Sequence, residues 1–157
     1  MHWSIQGDSI YLAVAARATG WVGFGLSENG GMQGADVVLF TAAEPDMLVD
    51  SYILETRVPV TDDDCPNSWS LLSSHTDGGF LIWEGTRLLD TADPQDRIIQ
   101  NDADAMLVPS RIIAAWGDSE DVSYHGTNNR VRGAVRWFGG GDSVSAESRN
   151  SINNRDE

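Results

Sequence analysis

With 157 residues and a mass of 17.1 kDa the chain has the size of one domain, long enough to fill a single core. Its 24 acidic and 10 basic residues give a formal net charge of −14, which repels phosphate backbones and anionic headgroups and argues against nucleic acid as a partner. A lone cysteine, Cys65, excludes an internal disulfide and a zinc-thiolate cluster, and no stretch approaches the roughly 20 apolar residues of a membrane span.

Turn-forming residues recur at the spacing of an antiparallel all-β sandwich or barrel. Residues 2–6 are expected as a short first strand, turned by Gly7-Asp8 into a second over residues 9–18, where Ile10, Leu12 and Val14 alternate on one side. The start, Met1-His2-Trp3-Ser4-Ile5, lacks the basic and apolar regions of a signal peptide, so secretion implies a removed leader or a domain cut from a longer chain.

Residues 20–40 organise the rest of the chain. They read as strand, glycine-rich turn and strand, with Met32 among the turn glycines Gly30, Gly31 and Gly34. Gly23 and Gly25 remove side chains from part of one face of the first arm, a pattern that marks a bulge or a close approach to the backbone. In the second arm Asp36 precedes Val37, Val38, Leu39 and Phe40, an apolar run suited to a strand buried on both faces. A thioether and a carboxylate are thus expected at one end of a sheet, beside a gap in the side-chain layer.

Residues 48–55 alternate as a further strand, and residues 58–67 are too rich in proline and charge for a central one, so a surface loop or edge crossing is expected there. Within them Asp62-Asp63-Asp64 reads first as a solvated charge run. Residues 69–74 and 80–83 are expected as a hairpin around His75-Thr76-Asp77-Gly78-Gly79, with residues 86–89 continuing its second arm. Residues 91–96 form a loop, 98–104 have room for a turn of helix, 111–116 are rich in β-formers, and 131–138 close the sheet. Beyond Phe138 the composition turns glycine-rich and polar, so residues 1–138 are expected as the domain and 139–157 as a linker or tail.

The run Gly20-Trp21-Val22-Gly23-Phe24-Gly25-Leu26-Ser27, then Gly31-Met32, then Gly34-Ala35-Asp36-Val37-Val38, resembles the signature of DOMON domains, named for the amino-terminal domain of dopamine beta-monooxygenase. Asp50 with Tyr52, Trp69, Thr91-Ala92-Asp93-Pro94-Gln95-Asp96, the strand at 112–116, and Tyr124-His125-Gly126 leading to Arg132-Gly133 come in the family's order. The resemblance implies an immunoglobulin-like sandwich of two antiparallel sheets with about ten or eleven strands, in agreement with the strands read from turn spacing. It also implies an extracellular or cell-surface setting, with other domains of a parent chain as partners.

The resemblance implies three ligand classes. In one branch a methionine in the glycine-rich turn and a late histidine hold haem b from its two faces for electron transfer to a redox partner. Met32 and His125 are the matching residues, with Trp21, Phe24, Tyr124 and Trp137 to line the ring and Arg130 or Arg132 to pair with a propionate. The ordinary reading of Met32 is a core plug, and of His125 a hydrogen bond fixing a loop.

In the copper-monooxygenase branch the domain holds a hard cation such as Ca2+ or Na+ through oxygen ligands. Carried over, these are the Asp36 carboxylate, the carbonyls of Val37 and Ser51, and a residue near 64–68, with Asn67 or Ser68 at the matching position and Asp63 or Asp64 as substitutes. Asp50 is expected near the same end or as a turn cap. The third class is a glycan, read by Trp3, Trp69 and Trp137 if these are exposed.

Two departures narrow the analogy. Ala92 stands where relatives often carry a cysteine, and the three histidines, His2, His75 and His125, are too scattered for a copper active site. No serine sits in a nucleophile elbow and Cys65 has no histidine in a recognisable motif, so a non-catalytic binding or interaction module is expected.

Overall fold

The structure is a computed structural model that describes residues 1–54, 59–62, 67–100, 109–138 and 145–146. These residues form eleven strands: β1 His2–Gln6, β2 Ser9–Ala16, β3 Trp21–Ser27, β4 Asp36–Thr41, β5 Val49–Ile53, β6 Pro59–Thr61, β7 Ser70–Asp77, β8 Phe80–Leu88, β9 Ser110–Gly117, β10 Arg130–Val135 and β11 Ser145–Ala146. They make two antiparallel sheets, β1-β2-β8-β7 and β11-β10-β9-β3-β4-β5-β6. Of the sandwich or barrel that turn spacing left open, the fold is the two-sheet sandwich that the family resemblance implies.

Alternation decides which residues meet between the sheets. Ile10, Leu12 and Val14 of β2 and Leu81 and Trp83 of β8 face Val22, Phe24 and Leu26 of β3 and Val38 and Phe40 of β4 across one core. Trp83 is fully buried and meets Trp69 edge-to-face, with ring centroids 6.1 Å apart. Trp137 packs on Trp3 in the same way at 5.5 Å. Trp69 and Trp137 are buried and fill the sandwich, and Trp3 on the edge strand β1 is partly buried against them.

The strand boundaries shift where turn chemistry or register overrides composition. The second hairpin turns on Gly78 and Gly79 alone, both at positive φ, so His75, Thr76 and Asp77 belong to β7. Pro59 does not prevent pairing, because β6 lies at the sheet edge where a missing N–H costs little. Residues 98–100 carry no helical turn, and residues 101–104 lie outside the described residues. β10 ends at Val135, three residues before the expected boundary, and β11 pairs with it at Gly133 and Ala134 from within the expected tail.

Beneath the seven-stranded sheet's other face lies a second, smaller cluster of Ala35, Val37 and Ile53, against which Met32 and Ile113 pack. β3 and β4 are therefore covered on both sides, as the uninterrupted apolar run of β4 requires.

Candidate functional site

Asp36 opens β4 with its side chain on the inner face, where apolar alternation would place a hydrophobe. Asp50 lies diagonally across on β5, since Val38 pairs with Asp50 and Asp36 with Tyr52. From the opposite sheet, Arg87 occupies the inward register of β8 after Leu81, Trp83 and Gly85. Asp96 closes the end from the loop between β8 and β9. One oxygen from each of Asp36, Asp50 and Asp96 lies within 4.8 Å of the others.

The loop that delivers Asp96 is shaped by its own side chains. Asp90 accepts from the Ala92 N–H at 2.9 Å and Asp93 from the Gln95 N–H at 2.8 Å, two turns of the kind Asp favours. Ala92 between them sits at φ 61°, the left-handed region that a side chain disfavours.

Among the described residues Arg87 is the cation that meets these acids. Its Nη1 donates to Asp36 Oδ2 at 3.0 Å and lies 3.7 Å from Asp96 Oδ2, and Nη2 donates to the Arg97 carbonyl. The guanidinium lies 5.4 Å from the Trp69 ring centroid, a cation–π contact that holds its plane. The Arg97 N–H adds a bond to Asp36 Oδ2 at 2.8 Å, and the Ser68 N–H donates to Asp50 Oδ2 at 3.0 Å.

These donors do not balance the acids. Among the described residues three carboxylates face one guanidinium, and Asp96 Oδ2, with its side chain 5% exposed, accepts no hydrogen bond. Burial pushes the Asp50 carboxyl up to about 6, with Asp96 and Asp36 adding like-charge repulsion against the Ser68 N–H and Arg87. Burial raises Asp36 as well, and Arg87 opposes it. A buried excess of negative charge is relieved by a proton or by a cation, and three converging carboxylate oxygens are the hard donors that a group 1 or 2 cation takes.

Of the residues expected around a cation, Asp36 is one of the three clustered carboxylates, and Asp50, expected near the same end, is another. Val37 and Ser51 pair with each other across β4 and β5, with side chains on the outward face. Asn67 Oδ1 accepts from the Trp69 N–H at 3.0 Å and its Nδ2 donates to the Leu48 carbonyl, fixing the entry to β7. Asp64 lies outside the described residues. Asp96 and Arg87 were not part of the expected set, although the alternation of Leu81, Trp83 and Gly85 turns Arg87 inward.

The residues expected around a haem divide between two faces. Met32 packs on the outward cluster of Val37 and Ile53, and Trp21 and Arg132 also belong to that outward side. Phe24 points the other way, into the inter-sheet core, and Trp137 joins it there. His125 lies in the loop before β10, with Nδ1 2.7 Å from the Gly126 carbonyl; a carbonyl only accepts, so Nδ1 carries the proton. Tyr124 is 80% exposed with its ring tilted against His125.

The gap above the glycines is filled from within. A Cβ on Gly25 would stand 2.6 Å from Val37 Cγ1, one on Gly23 2.9 Å from Leu39 Cδ2, and one on Gly117 2.5 Å from Trp21 Nε1. The glycines Gly23, Gly25 and Gly117 make room for the side chains of their neighbours Leu39, Val37 and Trp21.

Nor do the histidines gather. His2 and His75 lie on the two opposite edge strands of the four-stranded sheet, and His125 lies in a loop of the other. Among the described residues no helix is long and apolar enough to cross a membrane.

Comparison with known proteins agrees with this architecture. The sequence model of the DOMON domain matches residues 1–110. The chain is 25% identical over 138 residues to "DBH-like monooxygenase protein 1" of Mus musculus, a match covering 84% of this chain and 21% of that protein. It is 28% identical over 107 residues to "MOXD1 homolog 2" of Drosophila melanogaster, covering 67% of this chain and 14% of that protein. The chain thus spans about a fifth or less of the curated relatives it matches. Two antiparallel sheets, the glycine-bracketed turn into Asp36 and a family match over most of the chain make this protein a member of the DOMON domain family.

Proposed function

We propose that this domain is a cation-stabilised binding module of a larger extracellular or cell-surface protein, with calcium as the preferred ion. The observation that carries the reading is the convergence of the Asp36, Asp50 and Asp96 oxygens within 4.8 Å against a single guanidinium. The three carboxylates hold the ion, and Arg87 and the Arg97 N–H orient Asp36. The ion's role is structural. It ties β4, β5 and the loop carrying Asp96 together at one end of the sandwich, and so fixes the surface that partner domains meet.

Thermal unfolding with calcium, magnesium, sodium or chelator tests this. A ligand that binds only the folded state at about a hundredfold its Kd adds about 2.7 kcal/mol, a rise of roughly 5–10 °C for a domain of this size. Asp96→Asn, which keeps the shape and removes one charged donor, is expected to abolish the rise. Equal melting temperatures under all four conditions would overturn the reading.

Haem b held by Met32 and His125 and a bound glycan are the competing readings. The filled glycine notch and the inward Phe24 weigh against the first, and the core-packed Trp3, Trp69 and Trp137 against the second. A Soret band after haem addition that is lost in Met32→Ala would favour haem, and retention on a glycan array would favour the glycan.

A further inference from the structure

Strand pairing defines the outward face of the seven-stranded sheet row by row. Arg132, Ile113, Gly25, Val37, Ser51 and Thr61 form one cross-strand row, and Arg130, Ala115, Gly23, Leu39 and Val49 the next. Arg111, paired with Ala134 and Ser27, lies diagonal to Arg132.

The charges in these rows are Arg111, Arg130 and Arg132, all exposed, and no carboxylate is among them. That is an unusual segregation in a chain with 24 acidic and 10 basic residues. Among the described residues none of the three arginines makes a salt bridge, whereas Arg87 and Arg97 both do. Arg132 stands between the other two: Arg130 is two residues away on the same strand, hence about 7 Å, and Arg111 is a cross-strand diagonal away at a similar distance. Arg132 is thus repelled by both neighbours in the isolated domain. Beside them lie Ile113, Ala115, Leu39 and Val49, all half-buried.

We infer that this face docks a protein partner through a patch that presents carboxylates around an apolar centre. Guanidinium forks pair with carboxylates bidentately, and arginine is enriched among the residues that dominate protein interfaces. The half-buried aliphatic floor suits an apolar anchor in the partner. An extended polyanion or an anionic membrane would be repelled by the rest of a chain at −14, while a compact protein patch meets only this face. The inference uses residues separate from the three aspartates, so it stands or falls apart from the cation site.

Amide chemical-shift mapping tests it, with four probes added to the labelled protein. These are a glutamate-rich peptide carrying leucine and phenylalanine, its lysine-for-glutamate counterpart, a heparin-derived oligosaccharide, and phosphatidylserine vesicles. The acidic peptide alone is expected to shift Arg111, Ile113, Arg130 and Arg132, with binding that weakens as salt is raised. Arg130→Glu with Arg132→Glu is expected to weaken binding by about tenfold or more while melting temperature and calcium response stay unchanged. The inference is overturned if the acidic peptide leaves these residues unmoved, if the charge-reversed variant binds it as well, or if the oligosaccharide or vesicles engage the face in its place.

Discussion

The two faces of β4 and its neighbours carry opposite electrostatic problems. On the inner face Asp36 and Asp50 converge with Asp96 around one arginine, largely shielded from water; on the outer face Arg111, Arg130 and Arg132 stand in solvent, with no ion pair among the described residues. The difference teaches that location, more than sign, sets what a charge is worth. A buried imbalance costs kilocalories until a proton or an ion cancels it, while an exposed one is screened and left available to a partner.

The sharpest way to break this contrast is to remove one buried partner. Asp36→Ala leaves Arg87 with neither its 3.0 Å carboxylate nor access to water, and is expected to cost about 3–5 kcal/mol in urea unfolding. Asp36→Asn keeps an oxygen for the Arg97 N–H and should cost less. If both cost under about 1 kcal/mol, the inner cluster is no more consequential than a surface pair.

A steric test of similar rank addresses the floor of the outer face. A Cβ on Gly25 would meet Val37 Cγ1 at 2.6 Å and the Asp36 carbonyl at 2.9 Å, and the backbone atom cannot move aside as a side chain can. Gly25→Ala is therefore expected to cost about 1–3 kcal/mol, measurable by thermal unfolding. Gly78→Ala, with no heavy atom within 4 Å of the added carbon, would lose stability only through its positive φ.

The pH dependence sharpens the inner half of the comparison. Asp50 titrates at about 6 in the folded protein and near 3.8 in the unfolded chain, so the folded state binds the extra proton between those values. Stability contributed by that proton is fully present below about pH 4 and is lost as pH rises through 6. The raised Asp36 has the same sign. In chelator the domain should lose about 2 kcal/mol between pH 4 and 7, and Asp50→Asn should flatten that slope. Calcium should flatten it too, by taking the place of the proton.

How much of this was legible depended on whether a residue's role was local. The alternation of Ile10, Leu12 and Val14 announced β2, and the polar start of β4 announced Asp36, because each is read within a few residues. The pairing of Asp36 with Arg87 spans 51 residues and joins two sheets, so nothing near either residue signals the other. Asp96 comes from a loop, where no periodicity says which way a side chain points. The glycines of β3 were legible as missing side chains, but the space they leave is filled by Val37 and Leu39 on the next strand, and the space at Gly117 on β9 by Trp21.

The smallest expected effect comes from the outer face and has the opposite sign to the largest. Arg132 stands diagonal to Arg111 and two residues from Arg130, with no ion pair to offset them among the described residues, so both neighbours raise its free energy. Arg132→Ala should relieve that repulsion and stabilise the isolated domain by a few tenths of a kcal/mol at low ionic strength, with the gain vanishing by about 1 M salt as the Debye length falls to about 3 Å. Paired urea titrations at low and high salt measure it. A loss of stability that salt does not alter would mean that the Arg132 side chain is anchored by packing over Ile113, and the outer face would then be a structural surface like the inner one.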